Sequence, residues 1–483
     1  MQHIDADLVR PISDRVFTSQ DQLLFARLSG DSNPLHMDPL AARRTQAGEP
    51  VVHGIHALLW IIESIAKAGI QIHGLQKIEA RFIRFMYLYR TTSIELRGNV
   101  SSSINVDVIV DKISVLKVLL SFGGRHETRD LGVEPEFCIQ DILASPTLEQ
   151  MKTLGGWLAP PVTSDSFVDI FPYASAALDA RRLSGLSQTS RLVGMVCPGK
   201  HSLYARLSVT MTEPLPTFDG VRFQTVNVDE RTRGVDMVVH GNGISAEISS
   251  FARRPPVEAP DMREIAHNVR PDEFAGATAL VAGGSRGLGA ITAKIIAAGG
   301  GEVNMTYSRG LVDAERLCEE INAARGMEAC RAISLDVTRP LRPQLELLIG
   351  RISHLYYFAS PQIFVQKSAV FEPKLFTRFY EYYVNSFYEM CSVLNNGSLE
   401  VFYPSSVAVS ERPRGLVEYS MAKAAGEMLC EEMNRDRKGL RIFVSRLPRL
   451  LTDQTSTIAL TKNADPIPVV ASFVRAMHGR QGS

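Results

Sequence analysis

The spacing of hydrophobic positions divides the chain into regions of different secondary structure. A continuous apolar run over residues 55–65 predicts a buried helix, and the alternation over residues 105–110 predicts a strand. Residues 81–85 predict another strand. The N-terminal region is therefore expected to wrap strands around a central helix.

The middle of the chain repeats this order. Residues 173–186 predict a helix with small and apolar residues on one side. Residues 202–210 and 235–239 then alternate as strands do. We expect a second unit of the same architecture here.

The C-terminal region has a different pattern, in which buried strands alternate with helices. Residues 277–282 predict a strand, residues 291–298 a helix and residues 302–309 the next strand. Residues 253–260, rich in proline and charge, predict an extended linker before this region. We expect an α/β doubly wound parallel sheet of the Rossmann type after the linker.

Length and charge limit the class of the protein. At 483 residues the chain is expected to hold more than one domain, on a prior of roughly 100–200 residues each. Its 52 basic and 52 acidic residues balance, so no overall charge indicates nucleic-acid binding. No apolar stretch reaches the roughly 18 residues that span a bilayer, and the polar start is not typical of a signal peptide. Six scattered cysteines without C-x-x-C spacing indicate reduced thiols in a cytoplasmic protein.

An acid, a base and a helix start lie close together near the N-terminus. Asp31 and His36 flank an Asn33-Pro34 turn, so both side chains can project toward one point. Gly54 begins the predicted helix, whose first N–H groups have no partner inside the helix. Removing water from a 3-hydroxyacyl thioester needs a base, a proton source and a donor to the thioester oxygen. His36, Asp31 and the Gly54 N–H supply these in turn.

These residues resemble the MaoC-like hydratases, the R-specific enoyl-CoA hydratase family with the hotdog fold, over about residues 15–120. The resemblance implies that Asp31 and His36 are the catalytic pair and that Gly54 gives an oxyanion-hole amide. Either side chain alone would be explained as a turn cap or a loop histidine; the joint pattern favours catalysis. We expect His53 and His56 to pack at the helix start and expect no metal site.

A glycine-rich turn follows the first strand of the C-terminal region. Such a turn lets a pyrophosphate approach the backbone at a helix N-terminus. The next strand ends without an acidic residue for a ribose hydroxyl, and a basic residue there favours a 2′-phosphate, hence NADP(H). The alternative is a solvated surface charge at Arg309. The candidate cofactor-binding residues of these segments are Gly283, Ser285, Arg286, Gly287, Leu288, Gly289, Ser308 and Arg309.

A second group of polar residues follows in this region. Tyr419 and Lys423 lie four residues apart and so share one helix face. An ammonium beside a phenol is expected to lower the phenol's pKa and so assist proton transfer to a ketone oxygen. Ser406 can hydrogen-bond that oxygen, and Asn385 can hold a water in a proton path toward Lys423.

From residue 277 onward the chain is similar to the short-chain dehydrogenase/reductase superfamily, most of all to its 3-oxoacyl reductases. This resemblance implies a catalytic tetrad of Asn385, Ser406, Tyr419 and Lys423, with the last two also binding the cofactor. It also implies that Asp336, followed by Val337, contacts the adenine.

The chain departs from the superfamily's pattern at three places. Residues 357–360 replace the usual Asn-Asn-Ala-Gly, Ala282 replaces a threonine before the glycine loop, and Arg449 replaces a glycine. We expect the first two changes to remove hydrogen bonds. Reduced turnover and an unusual substrate are the two alternative consequences.

The middle region lacks an Asp-x-x-x-x-His segment. Cys197 and His201 are four residues apart around a Pro-Gly turn and have no orienting third group, so we expect no nucleophilic catalysis. We interpret the region as a second hotdog that completes a double hotdog and shapes the acyl pocket. The expected segments are a dehydratase domain at 1–135, the second hotdog at 160–255, a linker at 256–272 and a reductase at 273–483.

Together the two resemblances imply consecutive reactions. We expect NADPH-dependent reduction of a 3-oxoacyl thioester and dehydration of the product to a trans-2-enoyl thioester, in fatty-acid or polyketide-like synthesis. The substrate is expected to be an acyl-CoA or an acyl carrier protein thioester, and the protein a homo-oligomer. The alternatives are the reverse reactions in β-oxidation, a single-activity enzyme with one silent half, and a non-catalytic sensor.

Overall fold

The structure is a computed structural model that describes residues 9–97, 102–123, 139, 143–214, 219–365, 367, 369–436, 439–452 and 464–479. The chain forms two compact units whose boundary lies between Pro255 and Pro256. Among the described residues, no helix is both long and apolar enough to cross a membrane. Cys138 lies outside the described residues, and the five described cysteines are free and buried.

The first unit contains ten strands in its described part. They are β1 Arg10–Val16, β2 Leu75–Phe82, β3 Thr91–Arg97, β4 Ser103–Val110, β5 Ile113–Phe122, β6 Gly155–Leu158, β7 Ser202–Met211, β8 Val221–Asp229, β9 Gly234–Gly241 and β10 Ile244–Ala252. Its helices are α1 Ser19–Ser29, α2 Pro34–Met37, α3 Pro39–Arg43, α4 Gly54–Lys67, α5 Leu148–Met151, α6 Asp165–Ile170, α7 Pro172–Leu178 and α8 Ala180–Arg191. A π-helical turn Leu192–Val196 and a 3-10 turn Gly199–His201 follow α8.

All ten strands belong to one antiparallel sheet with the order β1-β3-β4-β5-β2-β7-β10-β9-β8-β6. The pair β2 and β7 joins two five-stranded halves, whose strands have corresponding orders on either side. Helix α4 belongs to the first half and α8 to the second, and both contribute to one continuous core. This arrangement confirms the expected double hotdog.

Two local predictions in this unit needed adjustment. Strand β2 begins earlier than expected and ends at Phe82, since the next two N–H groups both bond to Val115 O. The helix predicted over residues 173–186 is divided at Asp179, where φ is +77°. The Asp179 side chain then caps the next helix by accepting from Arg181 N at 2.7 Å.

The second unit contains a six-stranded sheet in its described part. Its strands are β11 Thr278–Ala282, β12 Glu302–Tyr307, β13 Cys330–Ser334, β14 His354–Tyr357, β15 Leu399–Ser406 and β16 Leu440–Leu447. Its helices are α9 Met262–Ala266, α10 Gly287–Ala298, α11 Leu311–Arg325, α12 Leu341–Leu345, α13 Pro373–Tyr380, α14 Ser386–Leu394, α15 Ala408–Glu411, α16 Val417–Asp436 and α17 Pro466–His478. There are also a 3-10 turn Glu346–Leu348 and a π-helical turn Glu381–Asn385.

The six strands are parallel and have the order β13-β12-β11-β14-β15-β16. This is the 3-2-1-4-5-6 order of a Rossmann-type sheet, with its crevice between the first and fourth strands. Alternate residues of β11 enter different cores, because Ala279 and Val281 face one layer of helices and Leu280 and Ala282 the other. Both faces are therefore buried, as parallel sheets require.

The predicted linker over residues 256–272 is not extended along its whole length. Helix α9 lies inside it, and Met262 and Ile265 belong to the core of the second unit. Asp261 caps this helix, and Lys294 Nζ donates to Pro260 O at 2.8 Å. The apolar positions of this short segment are too few to show a helical period in the sequence.

Candidate active sites

The loop that carries Asp31 and His36 is built by two helix ends. Helix α1 stops at Gly30, where φ is +75°. Asn33 then caps α2 by accepting from Leu35 N at 2.9 Å, with Pro34 in the first turn. His36 therefore lies on a short helix, whereas the sequence predicted a turn, because the asparagine cap and the proline together start a helix.

The Asp31 carboxyl group is almost completely buried, at 2% exposure. Its Oδ2 accepts a hydrogen bond from Ser190 Oγ at 2.7 Å, and its Oδ1 accepts from Asn33 N at 3.2 Å. Burial raises the pKa of Asp31, and the charge of His36 and the two hydrogen bonds oppose this shift. The net effect favours a carboxyl group that keeps its proton to higher pH.

His36 is held in one tautomer by the backbone. Its Nδ1 lies 2.7 Å from Val51 O, so Nδ1 carries the proton and donates it, and Nε2 keeps its lone pair. Burial lowers the pKa of His36, with a smaller lowering from Arg253, and the charge of Asp31 opposes this. A cavity of about 270 Å³ opens beside the ring, lined among others by Leu23 and Leu88.

Gly54 is the first residue of α4, as the sequence predicted. A Cβ at this position would lie 2.5 Å from Phe82 Cε1, so a side chain does not fit. The preceding residue, His53, stacks on the His36 ring with centroids 3.9 Å apart. The helix N-terminus and the two candidate catalytic side chains therefore lie together.

His53 and His56 pack as the sequence predicted. His53 Nε2 lies 3.0 Å from Asp31 O, and His56 stacks on Phe25 with centroids 4.8 Å apart. Donor atoms of Asp31, His36 and His53 lie within 4.8 Å of one another. A metal ion there would have to break the hydrogen bonds that hold these groups, so the arrangement suits proton transfer better.

The second half of the sheet supplies two residues that sequence reasoning missed. Ser190 lies in the last turn of α8 and is buried beside Asp31. Gly194, in the following π-helical turn, approaches so closely that a Cβ would lie 2.3 Å from Asp31 Oδ1. Asn33 Nδ2 also donates to Gly194 O at 2.6 Å. The only signal in the sequence is the excess of serine and threonine on a helix that is otherwise core.

Cys197 and His201 do not form a reactive pair. The Cys197 thiol contacts Thr225 Oγ1 at 3.7 Å, and burial raises its pKa to about 11. Burial and the nearby cation of Arg253 lower the pKa of His201 to about 4. The Cys197 thiol therefore keeps its proton at neutral pH, whereas nucleophilic catalysis needs the thiolate.

In the second unit, the glycine loop joins β11 to α10 at the crevice of the sheet. Gly283 has a φ of +76°, and a Cβ at Gly289 would lie 2.4 Å from Gly283 O. The N–H of Gly283 donates to Thr306 Oγ1 at 3.0 Å, which holds the loop against β12. Helix α10 begins at Gly287 and continues through Leu288, after Ser285 and Arg286 in the turn. This compact loop before a helix N-terminus fits the pyrophosphate of a dinucleotide.

The ends of the next two strands lie in electrostatic contact. Ser308 and Arg309 follow β12 and are exposed, and Arg309 contributes to lowering the pKa of Asp336. The larger cause is a hydrogen bond from Thr338 Oγ1, at 2.7 Å from Asp336 Oδ1. Val337 is buried and its carbonyl accepts from Ser386 Oγ at 2.6 Å. The Arg309 cation is thus available for a phosphate at this edge.

Tyr419 and Ser406 meet as predicted, but the pKa of Tyr419 shifts in the opposite direction. Burial raises this pKa, and the hydrogen bond with Ser406 only partly offsets it. Burial also lowers the pKa of Lys423 to about 7, which weakens the expected help from an ammonium. The four-residue spacing predicted that both groups lie on one helix, but it could not predict that both side chains are buried.

Two aromatic rings surround Lys423. Its Nζ lies 3.9 Å from the ring centroid of Tyr383 and 4.9 Å from that of Tyr403, and it donates to Pro404 O at 2.6 Å. Asn385 is exposed and donates to Glu381 Oε2 at 2.9 Å. The structure therefore gives no support to the predicted path from Asn385 to the lysine.

The segment that departs from the superfamily's pattern makes hydrogen bonds of its own. Tyr357 donates from its hydroxyl to Tyr382 O at 2.7 Å, and Ser360 Oγ lies 2.6 Å from the Tyr383 hydroxyl. Hydrogen bonds with tyrosine side chains therefore take the place of those that were expected to be lost at these positions.

Comparisons with known proteins agree with these two architectures. A family model described as a MaoC-like domain matches residues 2–114, and one described as short chain dehydrogenase matches residues 277–459. The peroxisomal hydratase-dehydrogenase-epimerase of Saccharomyces cerevisiae is 34% identical over 73 residues, which cover 15% of this chain and 8% of that protein.

Solved structures resemble part of the chain. A short-chain dehydrogenase from Pseudomonas syringae is 18% identical, with 43% of this chain and 92% of that one covered and a TM-score of 0.37. L-sorbose reductase from Gluconobacter frateurii, solved with NADPH and L-sorbose, is 16% identical, with 38% of this chain and 73% of that one covered and a TM-score of 0.34. The FolM alternative dihydrofolate reductase 1 from Brucella canis, solved with NADP, is 19% identical, with 44% of this chain and 91% of that one covered and a TM-score of 0.37. The chain thus joins a MaoC-like dehydratase domain to a short-chain dehydrogenase/reductase domain.

Proposed function

We propose that the protein is a bifunctional enzyme that reduces a 3-oxoacyl thioester with NADPH and dehydrates the resulting 3-hydroxyacyl thioester. The observation that carries the proposal is the buried Asp31 beside the half-buried His36 at the start of α4, in a chain that also has a dinucleotide-type crevice. The yeast relative is named as a hydratase and a dehydrogenase, which supports the same pairing of activities.

The dehydration follows from the shifted protonation states. His36 Nε2, free because Nδ1 is bonded to Val51 O, takes the α-proton of the substrate. The Gly54 N–H donates to the thioester oxygen as negative charge develops there. Asp31, whose pKa is raised by burial, gives its proton to the departing hydroxyl. The product is a trans-2-enoyl thioester and water.

The reduction is assigned to the second unit. Arg309 and Arg286 would hold the 2′-phosphate of a bound NADPH, which would supply the hydride for the β-carbon. Tyr419 donates its hydroxyl proton to the ketone oxygen, and Ser406 donates a hydrogen bond to the same oxygen. Biosynthesis in the cytoplasm is the direction that an NADP preference favours.

A single-activity dehydratase with a redox-silent second unit is the other candidate. Two contacts and one pKa shift favour it: Lys423 donates to Pro404 O, Asn385 donates to Glu381, and burial raises the pKa of Tyr419. The reverse direction, hydration and oxidation in β-oxidation, uses the same groups.

Product analysis distinguishes these functions. The full chain is incubated with a 3-oxoacyl thioester and NADPH, and ketone, alcohol and enoyl products are separated. The proposal expects the enoyl product with NADPH loss, the alcohol alone from His36→Ala, and no product from Tyr419→Phe. Hydration of an enoyl thioester without any NADPH use would leave the single-activity dehydratase, and neither reaction with any thioester would leave a binding protein.

A further inference from the structure

Two of the buried cysteines lie side by side in the second unit. Cys318 belongs to helix α11 and Cys330 begins strand β13, and their Sγ atoms are 2.9 Å apart. Both thiols are free in this structure. The sulfur–sulfur bond of a disulfide is about 2.0 Å long, so the two atoms need to approach by roughly 1 Å to form one.

One side chain holds the backbone around this pair. Asn322 lies one turn after Cys318 on α11 and therefore on the same face of the helix. Its Oδ1 accepts from Ala329 N and from Cys330 N, both at 2.8 Å, and its Nδ2 donates to Cys330 O at 3.0 Å. Because the start of β13 is already fixed against α11 here, closing a disulfide needs little backbone movement.

The two sulfurs differ in exposure and in acidity. Cys318 is 7% exposed and Cys330 2%, and the residue that follows each of them, Glu319 and Arg331, is exposed. The hydrogen bond with Cys330 lowers the pKa of Cys318, whereas the same bond and burial raise the pKa of Cys330. Cys318 is thus the more accessible and the more readily ionised thiol, and the thiolate is the form that reacts.

Metal binding is the other common use of neighbouring cysteines. A structural zinc site takes four ligands from cysteine and histidine. In the part of the chain that the structure describes, no histidine, carboxylate or third cysteine joins Cys318 and Cys330 in a group of three candidate ligands. The pair is therefore better suited to redox chemistry than to a metal ion.

We propose that Cys318 and Cys330 are a redox-active pair that hydrogen peroxide converts reversibly to a disulfide. This chemistry is additional to the two proposed activities.

The reaction has two steps. The Cys318 thiolate attacks one peroxide oxygen and the O–O bond breaks, which gives a sulfenic acid and a hydroxide that takes up the proton lost by Cys318. The Cys330 sulfur then bonds to the Cys318 sulfur, the S–O bond breaks, and water leaves with the proton of Cys330. Two thiols are oxidised to one disulfide, and the peroxide is reduced to water. A dithiol reductant reverses the change by thiol–disulfide exchange.

Peptide mapping of the full chain tests the pair directly. The protein is treated with hydrogen peroxide at neutral pH, the remaining thiols are alkylated under denaturing conditions, and unreduced peptides are identified by mass spectrometry. We expect a cross-linked peptide that contains Cys318 and Cys330, and a loss of two titratable thiols from the six of the chain. Dithiothreitol should restore both thiols.

Thermal unfolding gives a second readout. A disulfide that closes this short loop should raise the unfolding temperature of the second unit by roughly 5–10 °C, and reduction should remove the rise. Cys330→Ala should abolish the rise and leave the sulfenic acid of Cys318, which dimedone labels. Cys391→Ala is the matched control, because Cys391 is a buried cysteine of the same unit that belongs to a different core. It should keep both the cross-link and the rise.

Several outcomes overturn the proposal. Oxidation of Cys318 to the sulfinic acid without a cross-link in the unchanged protein would show that Cys330 does not resolve the intermediate. A disulfide that involves another cysteine equally often, or a full thiol count after peroxide treatment, would remove the assignment to this pair. A temperature rise that persists in Cys330→Ala would assign it to another change. The mapping uses the unchanged protein, so it decides the question even where a variant does not fold.

Discussion

Burial moves the pKa values of Asp31 and His36 toward each other. It raises the pKa of the carboxyl group and lowers that of the imidazole, so a protonated Asp31 beside a neutral His36 is favoured relative to the ion pair. An acid and a base are the two forms that dehydration uses. Ser190 bonds to Asp31 Oδ2 and Val51 O bonds to His36 Nδ1, so Asp31 Oδ1 and His36 Nε2 remain for the substrate.

The first prediction concerns the base. His36→Ala should abolish interconversion of 3-hydroxyacyl and enoyl thioesters, by about 10²–10⁴-fold, since that is what a positioned acid or base contributes. Reduction with NADPH should continue. Rates of both reactions in the purified variant check this, and near-normal hydration would remove His36 from the mechanism.

A second prediction concerns Ser190, which acts through Asp31. Its hydrogen bond lowers the pKa of Asp31, so Ser190→Ala should raise that pKa, because the ionised carboxylate loses a charge-assisted hydrogen bond. The pH above which dehydration declines should rise with it. Ser190→Thr, which keeps a hydroxyl, should restore the profile.

Ser187→Ala is the control, because among the residues that the structure describes Ser187 Oγ bonds only to Ser184 O, within the same helix. A pH profile that moves equally in both alanine variants would mean that the helix, and not the hydroxyl at Asp31, is responsible.

Local sequence was sufficient to bring Asp31, His36 and Gly54 together. All three lie within one short segment with strong cap and turn residues. Ser190 is separated from Asp31 by 159 positions, and no local pattern can state which distant hydroxyl reaches a carboxyl group. Burial of Tyr419 and Lys423 was missed for the same reason, since it depends on rings from β15 and the turn before α14.

At the scale of elements, each unit has a π-helical turn at its candidate site. Leu192–Val196 brings Gly194 against Asp31, and Glu381–Asn385 brings Tyr383 against Lys423. Such turns are rare and are frequent at functional sites, because the extra residue shifts a backbone group out of the helical ladder. Periodicity of 3.6 residues does not predict them.

A third prediction belongs to the end of β12. If Arg309 holds a 2′-phosphate, NADPH should bind more tightly than NADH, and Arg309→Asp should narrow or reverse this preference by charge repulsion. Fluorescence titration with both cofactors measures it. Equal affinities in the unchanged protein would show that the end of β12 does not select the cofactor.

Element types were predicted better than element boundaries. Strong periodicity gave α4 and the alternation of the Rossmann-type unit, whereas α2, α9 and the break at Asp179 depend on single caps or on one positive φ. These features are set by one or two side chains, so a hydrophobic pattern contains little information about them.

At the scale of the molecule, the free energy of unfolding of the first unit should fall as the pH is lowered. Burial lowers the pKa of His56 from 6.5 to about 3. Between these values the unfolded chain binds a proton that the folded unit does not, so stability rises with pH and is lost on acidification from pH 6.5 toward 3, by about 1.4 kcal/mol per pH unit.

The fourth prediction removes this effect. His56→Phe keeps a ring between Phe17 and Phe25 and removes a buried Nδ1 without a partner, so acid unfolding should move to lower pH. Urea unfolding at about pH 4–8, a range that includes the ordinary histidine pKa, measures this shift when it is followed by tryptophan fluorescence. Both tryptophans of the chain, Trp60 and Trp157, belong to the first unit.

His73→Gln is the matched control, because His73 is exposed. An unchanged pH dependence in His56→Phe, or the same change in His73→Gln, would contradict the assignment of acid sensitivity to the buried ring.

The last prediction is that the two activities can be separated in one chain. Tyr419→Phe removes a hydroxyl whose partner is Ser406, while the ring keeps its edge contacts with Phe379 and Tyr383 at 5.7 Å. Thermal stability and NADPH binding should therefore change little. Reduction of a 3-oxoacyl thioester should collapse, because the phenol that is proposed to give its proton to the ketone oxygen is gone, and hydration should continue.

The comparison that decides the matter is the unchanged protein against Tyr419→Phe on one 3-oxoacyl substrate, following NADPH loss and product identity together. Tyr380→Phe is the control, since Tyr380 is a partly exposed tyrosine of α13. If the unchanged protein hydrates enoyl thioesters but consumes no NADPH with any 3-oxoacyl carrier, the bifunctional proposal fails. The contacts of Lys423 with Pro404 O and the two tyrosine rings would then be the physical reason, because they engage the amino group that was expected to assist the phenol.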